Sequence, residues 1–260
     1  MIKKSTDRQE DLKKQSGPAA GSGPDGRSAG GSGFWVPWAS FCTTGQFRAL
    51  GKGYIRHCGP TAAVNVIRTL QSYAAASGGT GKAPEAEKRT PGAPSAEPAA
   101  PARTFSAVLA RREQERLKRE QEAREAERLF LVCAQIGART RIYWNTEIMG
   151  RFGGTSNFLT GVFLRRCLRA AGLLSLRPEV RFHIRITPDA VEEALGRGAI
   201  VYLQVYRHPR YQNHHMLCYA CRRRGGDRQF LLADGWTPRP VWAGEEEIGH
   251  GHFLTIRVES

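Results

Sequence analysis

A cysteine that precedes a Gly-Pro pair and opens a helical pattern is the first group in the sequence that could do chemistry. The stretch HCGPTAAVNVIRTL runs from His57 to Leu70, and its small residues predict a helix that starts near Cys58. A thiol in the first turn of a helix lies at the positive end of the macrodipole, beside main-chain N–H groups without helical partners. Both features favour the thiolate, which is the nucleophilic form of cysteine. The sequence therefore predicts an activated nucleophile at Cys58.

A nucleophilic cysteine needs a base, and the stretch NHHMLCYACRRRGGDRQFLLADGW supplies two adjacent histidines and an aspartate. The pair Gly225–Gly226 predicts a two-residue hairpin turn, which places Asp234 opposite Leu217. In this register Asp234 shares a face of the hairpin with His215, whereas His214 points to the other face. We therefore expect His215 to be the general base and Asp234 to orient its ring. A β-bulge in the hairpin would break this parity.

The sequence after the long polar region predicts the elements that position these groups. Apolar residues near helical spacing predict a helix from about Phe158 to Ala171, and TPDAVEEALGRG predicts another that opens with a Thr cap and a Pro. Short runs of β-branched and aromatic residues with period two predict antiparallel strands. These runs are RFHIRIT, AIVYLQVYR, HMLCYACRR, RQFLLAD and HFLTIRV. Helices come first and the sheet comes last, which is the order of an α+β fold.

Composition divides the chain into a leader and one domain. Residues 1–33 are polar and rich in Gly and Ser, which predicts a disordered N-terminal leader, and residues 34–260 are expected to form a single domain. Within that domain, the Pro/Ala/Gly-rich stretch at about residues 75–103 predicts an inserted low-complexity linker. The stretch at about residues 104–130 is rich in helix formers with charges of both signs, which predicts a long helix with a solvated middle.

The chain is strongly basic, with 39 Lys and Arg against 24 Asp and Glu and a formal net charge of +15 in 260 residues. Such a charge makes nucleic acid a partner class to consider. The basic residues are spread along the chain and no nucleic-acid-binding signature is found, so we expect no nucleic-acid partner. The N-terminal stretch of residues 1–33 contains no apolar run of the length that a signal peptide needs, and no stretch of the chain approaches the length of a membrane span. We therefore expect no membrane span, and a cytoplasmic protein with six reduced cysteines.

Two further patterns imitate metal or phosphate sites. The CYAC run has the spacing of a zinc-binding pair, but no second pair follows it, and Cys218 and Cys221 would face opposite sides of a strand. The SGGTGKA run lacks the first glycine and the final Ser or Thr of a phosphate-binding loop, and no strand precedes it. We therefore expect neither a metal nor a cofactor.

Three of the motifs, CGPTAAVNV, HHMLCYA and LLADGW, resemble those of papain-like cysteine peptidases of the bacteriocin-leader-processing (double-glycine) type. The resemblance covers about residues 34–258, with the linker as an insertion. It implies a papain-like α+β fold in which the helix that carries Cys58 packs on a C-terminal antiparallel sheet. It also implies a triad of Cys58 as nucleophile, His215 as general base and Asp234 as third member.

The same resemblance leaves the oxyanion donor in question. Members of the family usually carry a glutamine six residues before the cysteine, and this chain has Lys52 at that position. Gln46, twelve residues before Cys58, is the nearest upstream glutamine and is the candidate donor if the intervening loop folds back. One oxyanion donor contributes about 100-fold or more to the rate, so this departure bears on activity.

These expectations combine into a cysteine peptidase that hydrolyses a peptide or protein substrate through an acyl-enzyme. An acyltransferase or an amidase would use the same triad, because the choice of acceptor depends on the walls of the cleft. A third alternative is a catalytically inactive papain-like scaffold that acts as a basic binding module through its arginines and its charged helix. The sequence leaves these alternatives, and the oligomeric state, open.

Overall fold

An antiparallel sheet from the last third of the chain carries the fold. The structure is a computed structural model, and all the residues that it describes belong to one unit, Ser32–Ser260. The described residues are 33–35, 42–48, 50, 56–77, 105–148, 152–237 and 239–258. The predicted leader apart from its last residue, residues 78–103 of the predicted linker, and Lys52 lie outside them.

Strands form one large sheet and one small sheet. In chain order they are β1 (Gly33–Trp35), β2 (Tyr143–Ile148), β3 (Phe152–Thr155), β4 (Pro178–His183), β5 (Ile200–His208), β6 (Gln212–Arg224), β7 (Asp227–Ala233), β8 (Val241–Gly244) and β9 (His250–Val258). The large sheet has the order β4-β9-β5-β6-β7-β8, with β1 paired to the end of β6, and β2 pairs with β3. Every pairing is antiparallel. The expected α+β class and the antiparallel sheet are confirmed.

Helices supply the layer that packs on this sheet. They are α1 (Thr44–Arg48), α2 (Cys58–Ser77), α3 (Phe105–Arg139), α4 (Thr160–Ala170) and α5 (Pro188–Gly196), with short 3-10 helices at Leu173–Leu176 and Glu245–Ile248. The start of α5 follows from its sequence, because the Thr187 side chain accepts a hydrogen bond from the Ala190 N–H at 3.2 Å and Pro188 occupies the first turn.

The long charged helix α3 extends beyond the predicted end near residue 130 and stops at Arg139. Its first half is solvated, and Arg116 forms ion pairs there with Glu113 at 2.6 Å and Glu120 at 2.5 Å. Such exposed pairs contribute little to stability. Its second half carries buried apolar residues, including Phe130, so tertiary packing rather than charge patterning sets its length.

Helix α2 packs on the sheet. About three turns after its first residue, the hydroxyl of Tyr219 in β6 hydrogen-bonds the Thr69 hydroxyl at 3.0 Å, and both residues are buried. On its other side, Phe47 of α1 stacks on Phe130 of α3 with ring centroids 4.3 Å apart. The contact between Thr69 and Tyr219 therefore fixes the position of α2 along the sheet, and with it the position of Cys58.

The hairpin of β6 and β7 contains a bulge that decides the geometry of the site. Its turn is the predicted Gly225–Gly226 pair, with φ of +63° and +95°, which is the conformation that favours glycine. Pairing follows the predicted register from the turn to Ala220 and Leu231, and then shifts so that Cys218 faces Leu232. Beyond the bulge, each residue of β7 faces a β6 residue one position earlier than predicted.

None of the helices in the described part of the chain has the length and apolarity of a segment that crosses a bilayer. A search of the same residues for three or more His, Cys, Asp or Glu side chains gathered as metal ligands finds none. All six cysteines are free thiols.

Candidate active site

Cys58 is the first residue of α2, at the position that the sequence predicts. Its side chain is half-buried, and the sulfur lies 3.9 Å from the carbonyl oxygen of Arg56. Arg56 has a φ of +49°, so the backbone takes a left-handed step just before the helix begins. The thiol therefore lies at the N-terminus of a helix of 20 residues, where the helix dipole favours negative charge.

The residue after Cys58 has no space for a side chain. A Cβ on Gly59 would lie 2.6 Å from the Cβ of Thr155, because the end of β3 crosses the first turn of α2. Close approach is thus the reason for glycine in the CGP motif. Two contacts join His57, the residue before Cys58, to Thr61 in the first turn. The Thr61 N–H donates to the His57 carbonyl at 3.0 Å, and the Thr61 hydroxyl lies 3.3 Å from His57 Nδ1.

His214, near the start of β6, is the imidazole that faces this thiol. Its Nε2 donates a hydrogen bond to the main-chain carbonyl oxygen of Asp234 at 2.5 Å. Because that bond occupies Nε2, the other ring nitrogen, Nδ1, is the one available to the side-chain hydrogen bond with Cys58. The carbonyl of Asp234 therefore fixes both the tautomer and the orientation of the ring.

The thiol and the imidazole shift each other toward their charged forms. Burial of Cys58 opposes ionisation, but the hydrogen bond and positive charge of His214, with N–H groups of His215 and Gly59, lower the pKa of the thiol. Burial also opposes protonation of His214, but the hydrogen bond and charge of Cys58, with the carbonyl and carboxylate of Asp234, raise the pKa of the imidazole. Opposite shifts of this kind favour a thiolate–imidazolium pair.

The other five cysteines are buried and behave differently. In four of them burial raises the pKa of the thiol: Cys42, Cys167, Cys218 and Cys221. For Cys221 of the CYAC pattern, the pKa rises to about 11. Buried thiols of raised pKa are inert and structural, whereas the surroundings of Cys58 lower its pKa.

The structure corrects the predicted choice between the two histidines. The bulge in β6 moves Asp234 to the side of His214, and His215 points away to contact Tyr202, whose hydroxyl lies 3.1 Å from His215 Nδ1. Burial, followed by the positive charge of His214, lowers the pKa of His215 to about 3. A ring that stays neutral at pH 7 and faces another partner is not placed as the base of Cys58. The expected place of His215 beside Cys58 is therefore wrong, and His214 occupies it.

Asp234 contacts His214 of the thiol–imidazole pair through its main-chain carbonyl and not through its carboxylate. The carboxylate oxygen Oδ1 accepts hydrogen bonds from the N–H groups of Trp236 at 2.9 Å and Thr237 at 3.0 Å, and from the Thr237 hydroxyl at 3.0 Å. Burial and the carboxylate of Asp234 together raise the pKa of Tyr211 to about 12. The buried Asp234 charge therefore acts on His214 through space and stabilises its protonated form.

Two aromatic rings enclose the imidazole of His214. Tyr211 stacks on it with ring centroids 5.6 Å apart and planes 13° apart, and Trp236 covers it at 4.9 Å. Trp236 is 45% exposed, so one side of it forms the solvent boundary of the site. The rings reduce the access of water to the bond between His214 and Asp234, and aromatic faces favour a cation beside them.

The proposed oxyanion donor Gln46 lies on α1, a helix tied to the loop after Asp234. The N–H of Thr44 donates to the carbonyl of Gly235 at 2.7 Å, and a Cβ on Gly235 would lie 3.8 Å from a methyl carbon of Thr61. Helix α1 therefore adjoins the first turn of α2 through this loop. Gln46 is half-buried there, and its role as a donor stays a prediction.

Sequence reasoning missed three residues of this site. A regular register places His214 on the other face of the hairpin, and the bulge that changes this register has no signature in the sequence. Thr155 of β3 belongs to no recognisable motif. Tyr202 lies in an apolar run that predicts a strand, and in such a run a tyrosine indicates a residue of the hydrophobic core. Only the strand register and the contacts of the folded chain identify them.

No protein-family model matches the sequence, and comparisons with curated proteins and with solved structures give no significant match. A function for the chain therefore has to be derived from the chemistry of the site.

Proposed function

We propose that the chain is a cysteine hydrolase that cleaves peptide bonds, with Cys58 as the nucleophile and His214 as the general acid and base. The observation that carries this proposal is the side-chain hydrogen bond between Cys58, the first residue of a 20-residue helix, and the imidazole of His214. This contact lowers the pKa of the thiol and raises the pKa of the imidazole. Such a pair is the activated nucleophile that amide hydrolysis needs near neutral pH. The proposal keeps Cys58 and Asp234 from the sequence-based triad and replaces His215.

The reaction would proceed in two stages. The thiolate of Cys58 attacks the scissile carbonyl carbon, and the carbonyl oxygen takes the electron pair as an oxyanion. As the oxyanion collapses, the C–N bond breaks, the leaving amine takes the Nδ1 proton of His214, and a thioester remains on the sulfur. Neutral His214 then takes a proton from water while the water oxygen attacks the thioester. Loss of the carboxylic product breaks the C–S bond and restores the thiolate–imidazolium pair.

Asp234 has two separate roles in this mechanism. Its carbonyl keeps the Nε2–H of His214 engaged, so Nδ1 faces the sulfur in both protonation states. Its buried carboxylate stabilises the imidazolium that waits to protonate the leaving group. The backbone role survives any substitution of the side chain that leaves the loop intact, whereas the electrostatic role does not.

Oxyanion stabilisation would come from the start of α2. The main-chain N–H of Cys58 has no partner within the helix, since it belongs to the first turn, and it lies next to the attacking sulfur. The amide of Gln46 on the adjoining α1 is the candidate for a second donor. Loss of one such donor costs about 100-fold or more in rate, so replacement of Gln46 by alanine measures its share.

The papain-like architecture is part of the same proposal. A helix begins at the nucleophilic cysteine and packs on an antiparallel sheet, the histidine lies on a strand of that sheet, and the aspartate follows the next strand. The order of Cys58, His214 and Asp234 along the chain agrees with the resemblance noted for the three sequence motifs. The order is the same whether the histidine of the triad is His214 or its neighbour His215.

A peptide library read by mass spectrometry tests the proposed hydrolysis. The wild-type chain should yield cleavage products, Cys58→Ala should yield none, and Cys221→Ala, which removes a buried thiol of raised pKa, should cleave as the wild type does. Products extended by an added amine would reveal acyl transfer by the same thioester. Cleavage that persists in Cys58→Ala, or a wild type that cleaves no peptide, would overturn the proposal.

A further inference from the structure

A buried tyrosine and the second histidine form a contact beside the Cys58 site that the proposed mechanism does not use. Tyr202 lies in β5 and is fully buried. Its hydroxyl oxygen is 3.3 Å from the carbonyl oxygen of Gly59 and 3.1 Å from Nδ1 of His215. The rings of Tyr202 and His215 meet edge to face, with centroids 5.7 Å apart. One hydroxyl group therefore joins two strands of the sheet to the first turn of α2.

Protonation states in this contact follow from burial. Burial, then the charge of His214, keeps the pKa of His215 at about 3 against the opposing effect of the Thr155 carbonyl, so the ring is neutral. Burial raises the pKa of Tyr202, so its hydroxyl keeps its proton. Because the Thr155 carbonyl takes the N–H of the neutral ring, the remaining nitrogen, Nδ1, is an acceptor. The single proton of the Tyr202 hydroxyl is therefore shared, in a three-centre hydrogen bond, between Nδ1 of His215 and the carbonyl oxygen of Gly59.

These groups converge on the backbone that carries the nucleophile. Thr155 packs directly on Gly59, where no Cβ fits, and its carbonyl holds the ring of His215. The main-chain N–H of His215 reaches the sulfur of Cys58. The next residue along β6 toward its start is His214, so the strand that bears the base is the strand that Tyr202 ties to the helix.

We propose that Tyr202 and His215 are positioning residues, which hold the first turn of α2 against β6 so that the Cys58 sulfur stays in hydrogen-bonding contact with His214. The significance of this role rests on the proposed function, but ionisation of Cys58 is measurable without any substrate. Loss of the contact frees the first turn to move relative to β6. The sulfur then loses its contact with His214 and with the His215 N–H, and its ionisation becomes less favourable.

The chain offers a matched control for removing the Tyr202 hydroxyl. Tyr219 is also fully buried in the sheet, and its hydroxyl also bonds α2, through the Thr69 hydroxyl at 3.0 Å. Thr69 lies about three helical turns beyond Cys58. Tyr202→Phe and Tyr219→Phe therefore remove the same atom from the same sheet-to-helix interface, one beside the nucleophile and one far from it.

The test is the rate of alkylation of Cys58 by iodoacetamide as a function of pH, with the labelled cysteine identified by peptide mass mapping. For Tyr202→Phe we expect the midpoint to rise by about one pH unit, with about tenfold slower labelling at pH 6. Tyr219→Phe should keep the wild-type midpoint while its melting temperature falls by an amount similar to that of Tyr202→Phe. An unchanged midpoint in Tyr202→Phe, or equal midpoint shifts in both variants, would overturn the positioning role.

Variants of His215 provide a second readout. His215→Asn keeps a hydrogen-bond acceptor near the position of Nδ1, whereas His215→Leu removes it, so the midpoint for Asn should lie between those of the wild type and Leu. Equal shifts for Asn and Leu would contradict a role for the Tyr202 bond. A midpoint shift in a chain that cleaves no peptide would support positioning and refute the hydrolysis. Unchanged midpoints with normal cleavage would refute positioning alone.

Discussion

Replacing His214 with alanine removes the imidazole from the thiol and leaves the rest of the helix N-terminus in place. In the wild type, the hydrogen bond and charge of His214 are the largest influences that lower the pKa of Cys58 against burial. In the variant, burial still opposes ionisation, and only the N–H groups of Gly59 and His215 remain to favour it. The pKa of the thiol should therefore return to the value of free cysteine or rise above it.

The magnitude follows from the fraction of thiolate. A thiol with a pKa of about 8.5 is ionised in about one molecule in a hundred at pH 6.5. The lowered pKa of the wild-type thiol raises that fraction, with complete ionisation as the upper limit. Labelling of Cys58 should therefore slow by up to about 100-fold in His214→Ala. Peptide turnover should fall further, since the lost acid–base group contributes about 10²–10⁴-fold by itself.

Stopped-time alkylation with mass mapping measures the first effect, and turnover of a peptide identified from the library measures the second. His183→Ala is the control, because His183 lies on the edge strand β4, where its Nε2 contacts the Thr255 hydroxyl at 3.2 Å. The control should label and turn over as the wild type does. If His214→Ala labels as fast as the wild type at pH 6.5, the reasoning about the pair is refuted.

Three further outcomes follow from the same geometry. Gly59→Ala should lower the free energy of unfolding by about 1–3 kcal/mol in urea titrations, because its methyl would lie 2.6 Å from Thr155 Cβ. A variant as stable as the wild type would contradict this contact. Asp234→Asn keeps the carbonyl that holds His214 but loses the charge that raises the imidazole pKa, so in pH–rate profiles the alkaline limb of kcat/KM should move to lower pH. The maximal rate of that variant should stay within about tenfold of the wild type, and a loss as large as that of His214→Ala would show that the carboxylate itself holds the ring. The pH profile of kcat/KM for the wild type should be bell-shaped. The thiolate is protonated below the lowered pKa of Cys58, and the imidazolium is deprotonated above the raised pKa of His214. A single rise near pH 8.5, the approximate pKa of free cysteine, would contradict the ion pair.

Local signals were sufficient for the starts of two helices and for one hairpin turn. The Gly-Pro pair and the small residues after Cys58 predict the start of α2, and in the structure the helix begins at that cysteine. Thr187 and Pro188 predict the start of α5 in the same way. Gly225–Gly226 predicts the hairpin turn, since few other residues adopt positive φ at two successive positions.

The choice of base depended on long-range register, which local signals do not determine. One extra residue between Cys218 and Ala220 moves Asp234 from the side of His215 to the side of His214. A bulge arises from the packing and twist of the whole sheet, and an alternating sequence reads the same with or without it. The role of Tyr202 is invisible for a similar reason, because its hydroxyl meets Gly59 only after the sheet and the helix have packed.

The most direct test of the ion pair is the ionisation of Cys58 in the unmodified chain, followed by ultraviolet absorbance of the thiolate as a function of pH and corrected with Cys58→Ala. We predict a transition well below the pKa of free cysteine, about 8.5, and its displacement to that value or above in His214→Ala. A wild-type thiol that ionises at or above that value, or one whose transition does not respond to the loss of His214, would contradict the pair.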